Sequence, residues 1–280
     1  MDEHFRAFSF VDRIHAIQPG VRIRGSYTIP SQIGSFSASL VAEAVGQLAA
    51  LAAMAAVDFK CRPVAGLAGS VELFSAVRPG QVLELAAELE TVDAEAAAYG
   101  GMAQTDGIPV IRLQHCVGPM MPLEEFDDPR ALRARFALLQ ADGAVPGGFG
   151  GVPSFGFDPA GGEAGQSLRA TLRVPTSAPF FADHFPRRPV FPGSLLMNAN
   201  LELAAALAAQ LPAPMAGGSW TLRCLKDVKL RAFTPPGETL EIEARLSQLS
   251  TDGATVTVET RNGKRVVSGA RVRLSAEAPS

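Results

Sequence analysis

The stretch Pro179–Leu203, PFFADHFPRRPVFPGSLLMNANLEL, joins one histidine and four prolines to an apolar run of helical period. Pro186 and Pro189 fix φ near −65° on either side of Arg187 and Arg188, and the residue before each proline is pushed toward extended conformations. The backbone carrying His184 is therefore expected to be a stiff, non-helical loop that holds the imidazole at a fixed angle. Pro192-Gly193 ends that loop. From Ser194 a helix can start whose first N–H groups have no intrahelical acceptor. A fixed histidine beside free helix-terminal donors suits a general base paired with an oxyanion site.

HFPRRPVFPGSLLMNA (His184–Ala199) resembles the signature of the hotdog-fold 3-hydroxyacyl-[acyl-carrier-protein] dehydratases, roughly HFPxxPxxPGxLxxEAxxQ. His184, Phe185, Pro186, Pro189, Pro192, Gly193, Leu195 and Ala199 match it. FSFVDRI (Phe8–Ile14) with the following Pro19-Gly20 resembles the opening of the same family. The acid of the pattern stands fourteen residues after the histidine, where this chain has Asn198. The stretch carries the family's base without its acid. Asp183 and Arg187 stand where the family usually has, or often has, glycine around the HFP step. Asp183 is thereby a candidate to orient or charge His184.

The remainder of the chain supplies an acid. The 280 residues are 47% hydrophobic, enough for one large domain or two smaller ones. Residues 5–30 alternate apolar and polar around Pro19-Gly20, as strands about a turn do. Ser39–Val57 is rich in alanine and leucine and reads as a helix. Strand-like runs follow at Ala68–Val77, Val82–Glu90, Tyr99–Thr105 and Val110–Val117. After a break the order returns: a strand at Ser167–Val174, the histidine loop, a helix at Ser194–Gln210, then strands at Leu222–Arg231, Thr239–Leu246, Ala254–Thr260 and Arg265–Leu274.

The halves also align residue by residue. PGQVLELAAEL from Pro79 pairs with PGETLEIEARL from Pro236, 157 positions on. Asp106-Gly107 pairs with Asn262-Gly263, and SLVAEAVGQ from Ser39 pairs with SLLMNANLE from Ser194 at offsets of 156 and 155. The expected fold is α+β, a double hotdog of two tandem repeats, each a long central helix wrapped by an antiparallel sheet. Its parts are an acid-bearing N-terminal hotdog (1–118), a connector (119–165) and a C-terminal hotdog with the histidine loop (166–280). Within the connector, Leu123–Ala141 reads as a charged helix and Asp142–Gly165 as a glycine- and proline-rich flexible loop.

SLVAEAVGQ matches the family's GxLxxEAxxQ helix, with Glu43 at the acid position and Gln47 a turn later. Leu40, Glu43, Ala44 and Gln47 share one helix face. This half lacks a histidine loop: Glu43 follows Pro30 by 13 residues, whereas Asn198 follows Pro175 by 23. In the single-hotdog dehydratases the active site lies between two protomers, histidine from one and acid from the other. The resemblance therefore implies that His184 faces Glu43 across an intrachain pseudo-dimer. Asn198 would mark a degenerate second site.

The chemistry implied is removal of water from a (3R)-hydroxyacyl thioester. His184 takes the C2 proton, Glu43 protonates the leaving hydroxyl, and Gly193 N–H holds the enolate oxygen, with Gln47, Phe185 and Pro192 in support. The implied partners are an acyl-carrier-protein or CoA thioester, with no cofactor and no metal. Higher homo-oligomers of the pseudo-dimer stay open. Two other readings compete: a non-catalytic hotdog subunit that binds acyl chains or a partner dehydratase, and, more weakly, an acyl thioesterase. Arg173, Arg187, Arg188, Lys226, Lys229 and Arg231 are candidates for a basic rim toward an acidic carrier. His4, His15 and His115 have no partner spacing.

The remaining composition narrows the class. A net charge of −3 and pI near 5.9 argue against general nucleic-acid binding. Cys61, Cys116 and Cys224 lie far apart in no metal spacing, as buried thiols of a reducing cytoplasm would. The opening MDEHFRAFSFVDRI is too interrupted by charge for a signal peptide. Ala38–Val57, the apolar candidate for a membrane span, contains Glu43 and Gln47 and reads instead as a buried core helix. The expected setting is cytoplasmic, without membrane contact.

Overall fold

The computed structural model describes residues 4–153, 155–214 and 218–277. The alanine- and leucine-rich run forms α1 (Ala38–Ala56). A shorter amphipathic helix, α2 (Pro129–Gln140), starts at an Asp128 cap whose side chain accepts from Arg130 N–H. The run after Pro192-Gly193 forms α3 (Gly193–Ala208). Before α2 come β1 (Arg13–Gln18), β2 (Arg22–Thr28), β3 (Cys61–Pro63), β4 (Leu67–Leu73), β5 (Val82–Val92), β6 (Ala96–Thr105) and β7 (Ile108–Pro122). After it come β8 (Gly156–Glu163), β9 (Ser167–Arg173), β10 (Ser219–Leu230), β11 (Thr239–Leu249), β12 (Gly253–Asn262) and β13 (Arg265–Glu277). Pro19-Gly20 turns β1 into β2 with Gly20 at φ 73°, a left-handed conformation that glycine adopts without Cβ strain.

The strands form one antiparallel sheet in the order β1-β2-β5-β6-β7-β4-β10-β13-β12-β11-β9-β8, with β3 paired to the end of β7. The two ends of that list read alike from the outside inward, and β4 meets β10 in the middle. There Val71 lies opposite Leu225 and Ser70 opposite Lys226. Period-two burial is the same on corresponding strands: Leu83, Leu85 and Ala87 point inward on β5, and Leu240, Ile242 and Ala244 on β11. α1 packs on β2, β5 and β6, α3 packs on β9, β11 and β12, and the two helices touch one another.

α1 is long and apolar enough to cross a bilayer by length and composition, but 61% of its apolar window is buried within the protein. Leu48 and Val45 are fully covered. Truncating a buried leucine such as Leu48 to alanine costs about 2–5 kcal/mol, so this face anchors the fold. Two features of residues 119–165 differ from the connector reading. β7 continues through Pro122, past position 118. Gly156–Glu163, read as flexible loop, is a strand paired to β9. It is an edge strand, and an edge tolerates Pro159 because one row of its N–H groups faces no partner.

Candidate active site

A cavity of about 780 Å³ runs between the two helices, and Glu43 and His184 both line it. Glu43 reaches it from the first turns of α1. His184 reaches it from the loop after a 3-10 turn at Pro179–Ala182. That loop is held by its own backbone: His184 N–H donates to Phe180 O (2.9 Å), Val190 N–H to His184 O (2.9 Å) and Arg188 N–H to Phe185 O (3.1 Å). Arg187 N–H donates to Phe126 O at 3.0 Å, tying the loop to the segment after β7. The His184–Phe185 peptide is cis. The imidazole stacks on the buried Phe185 ring (centroids 4.3 Å apart) and meets the edge of Phe8 at 5.7 Å.

These surroundings favour the neutral form of both groups. Burial lowers His184 to about 3, and the nearby Arg62 guanidinium pushes it the same way. Burial raises the Glu43 carboxyl above its usual range, opposed in part by Ser194, Gln47 and Arg62. Gln47 Nε2 donates to Glu43 Oε1 at 3.0 Å and to Phe8 O at 2.9 Å, while its Oε1 accepts from Phe10 N–H at 2.8 Å. It thus fixes the carboxyl and straps the chain ahead of β1 across the back of the site. Ser194 Oγ is buried close enough to favour a charged Glu43, without completing a hydrogen bond of ordinary geometry.

Gly193 lines the cavity at the first position of α3, after an N-cap Pro192 that contributes no side-chain cap. A Cβ there would meet Leu230 Cδ1 at 2.5 Å, so a larger residue would have to displace that leucine side chain. Away from Glu43 and His184 the cavity wall is mostly apolar, including Val71, Leu73, Ile111, Leu113, Leu196 and Met197. Such a wall is complementary to an aliphatic group.

Asn198 lies elsewhere. It accepts from Ser39 Oγ at 2.9 Å and donates from Nδ2 to Glu202 at 2.7 Å. Asp183 turns away from His184: its carboxylate accepts from the N–H groups of Phe5 and Phe8 (2.6 Å to Phe8) and from the Ser9 hydroxyl (3.1 Å). The idea that Asp183 orients the imidazole is therefore corrected; it anchors the N-terminal segment. Of the basic residues, Arg188 and Arg231 line the cavity. Arg173 pairs with Asp158 and Lys226 with the Ser70 hydroxyl.

Arg62, on the three-residue strand β3, was not legible as a site residue. It lines this cavity and a smaller one of about 90 Å³ behind Glu43 and His184. Its guanidinium carbon lies 3.9 Å from the centre of the Phe185 ring. Burial lowers it to about 10, opposed by the attraction of Asp127 and Glu43. Nor is His4 incidental: its Nε2 lies 3.1 Å from the buried Asp127 carboxylate, at the wall of the smaller cavity. His15 bonds Ser26, and His115 lies near Glu90 on the surface.

The family model for ApeI-like dehydratases matches residues 162–270. The 3-hydroxyacyl-[acyl-carrier-protein] dehydratases FabZ of Rickettsia felis and Rickettsia akari are each 34% identical over 98 residues, 34% of this chain and 68% of theirs. Among solved structures, a putative oleoyl thioesterase from Lactobacillus plantarum superposes with a TM-score of 0.59 at 12% identity, covering 92% of this chain and 98% of that one. The 12:0-ACP thioesterase of Umbellularia californica gives 0.56 at 11% identity, over 91% and 94% of the two chains. At such identities the thioesterase likeness speaks for the fold alone. Fold, histidine loop and relatives converge: the chain belongs to the hotdog-fold, FabZ-like dehydratase family.

Proposed function

We propose that this chain dehydrates (3R)-hydroxyacyl thioesters, carried on acyl-carrier protein or CoA, to trans-2-enoyl thioesters at one site per chain. The observation that carries the proposal is a single cavity lined by Glu43 from α1 and by His184 from the loop before α3. The architecture behind it is a double hotdog. Two tandem units, one ending with β7 and the other beginning with β8, join at β4 and β10, as the mirrored strand order and shared burial pattern support. The segment holding α2 connects them.

The elimination follows from the protonation states. Neutral His184 removes a C2 proton, and its electron pair passes into the thioester as an enolate. Gly193 N–H, reinforced by the dipole of α3, donates to the enolate oxygen. Glu43, whose protonated form burial favours, delivers its proton to the C3 oxygen as the C–O bond breaks. Water leaves, and the double bond forms between C2 and C3. The catalyst is reset when the proton passes from His184 back to Glu43. The apolar wall accommodates the acyl chain. The exposed Arg231, which lines the cavity, suits an anionic carrier.

The test runs the reaction in reverse. The purified chain is expected to hydrate crotonyl-CoA, and turnover is expected to disappear in both His184→Ala and Glu43→Gln. Near wild-type turnover in either variant would refute the assignment of roles. Release of free thiol without hydration would move the chain to the thioesterases.

A further inference from the structure

Arg62 stands apart from the other arginines near the site: Arg231 and Arg265, which also line the cavity, are exposed to water, whereas the Arg62 guanidinium is enclosed. Arg133 spends its donors on Asp58, Arg135 on Val11 O, Arg187 on Glu124 O and Arg188 on Glu125. Among the described residues the Arg62 guanidinium makes no hydrogen bond and has no carboxylate within ion-pair reach, and its Nε is buried without an acceptor. Its flat face rests on Phe185, which fixes the plane of its donors. Leaving a guanidinium in a cavity wall without acceptors is costly. An oxygen on a bound molecule would remove that cost.

The choice of oxygen follows from the neighbours. In the dehydratase reading, on which this inference rests, the thioester oxygen belongs to Gly193 N–H at the start of α3. The other polar atom of the substrate is the 3-hydroxyl, placed at Glu43. Arg62 and Glu43 line the same two cavities and attract one another. We propose that Arg62 is a specificity-determining contact: its guanidinium donates a hydrogen bond to the 3-hydroxyl oxygen of the acyl substrate. It keeps that donor on the oxygen while the Glu43 proton arrives and the oxygen departs as water. The site thereby prefers hydroxylated acyl groups to saturated ones of the same length.

The test measures binding without turnover. In a His184→Ala background, the dissociation constants of (3R)-hydroxybutyryl-CoA and butyryl-CoA are compared with and without Arg62→Met. Charge-assisted hydrogen bonds are strong enough that affinity for the hydroxyacyl ligand is expected to fall about tenfold or more, while butyryl-CoA binds unchanged. Equal losses for both ligands, or no loss for either, would overturn the contact. Unchanged butyryl-CoA binding also reports an intact fold. Should Arg62→Met fail to fold, as loss of its thermal unfolding transition would show, Arg62→Lys decides: it keeps the charge without the planar fork, and a smaller loss confined to the hydroxyacyl ligand is expected. An unchanged preference in Arg62→Lys would overturn the proposal. Because the readout is binding, its failure is separable from that of the dehydratase reading, which crotonyl-CoA hydration tests by itself.

Discussion

Corresponding positions on α1 and α3 carry the same arrangement with acid and amide exchanged. On α1, Glu43 accepts from Gln47 one turn later; on α3, Asn198 donates to Glu202 one turn later. Each helix also meets a serine from the first turn of the other: Ser194 lies at Glu43, and Ser39 bonds Asn198. Yet Glu43 is enclosed with a raised pKa, while Glu202 is exposed. The difference lies in what faces each helix. The loop before α3 brings a histidine and two phenylalanines over Glu43. The loop before α1 is about ten residues shorter by sequence spacing and carries no histidine. A carboxyl keeps its proton more readily where the opposing loop excludes water, and the two helices differ in that respect.

The sharpest way to break this contrast is to remove each carboxyl in turn. Glu43→Gln is expected to lower kcat for hydration by about 10²–10⁴-fold, the usual weight of a general acid, whereas Glu202→Gln leaves kcat unchanged. Comparable losses would mean that both faces work. The next effect concerns pH. The folded chain holds His184 near 3 against an ordinary value of 6.5. Between those values the unfolded chain binds a proton that the folded chain does not. Stability contributed by neutral His184 is thus full above pH 6.5 and declines as pH falls toward 3. Denaturation midpoints measured across that window should slope more steeply for the wild type than for His184→Ala. The smallest effects come from the amides. Gln47→Ala leaves Phe10 N–H without its partner and should cost about 1–3 kcal/mol of stability together with a fall in kcat. Asn198→Ala should cost about 0.5–1.5 kcal/mol and leave kcat untouched. Thermal melts and steady-state rates on both variants separate these outcomes.

Much of this was legible because its signals are local. Pro-Gly steps and proline spacing mark the His184 loop. Helical period puts Glu43 and Gln47 on one face, and period-two alternation marks β5 and β11. Arg62 was not, because β3 is three residues long, ends in Pro63 and has neither alternation nor motif. Only the pairing of Arg62 with Met121 on β7 brings it over Phe185. β8 was hidden for a related reason, since an edge strand can be built from glycine and proline when its partner supplies the register. Asp183 misled by adjacency. A neighbour in sequence is a poor guide to side-chain partners in a loop, and this carboxylate is taken by backbone N–H groups some 175 residues away.

The central claim is that acid and base of one chain meet in that chain's own cavity. Co-expression of His184→Ala with Glu43→Gln, followed by purification of the mixture and assay with crotonyl-CoA, addresses it directly. The account predicts that the mixture stays as inactive as either variant alone, because neither chain can lend its intact group to the other. Recovery of hydration in the mixture would place the working site between chains and contradict it.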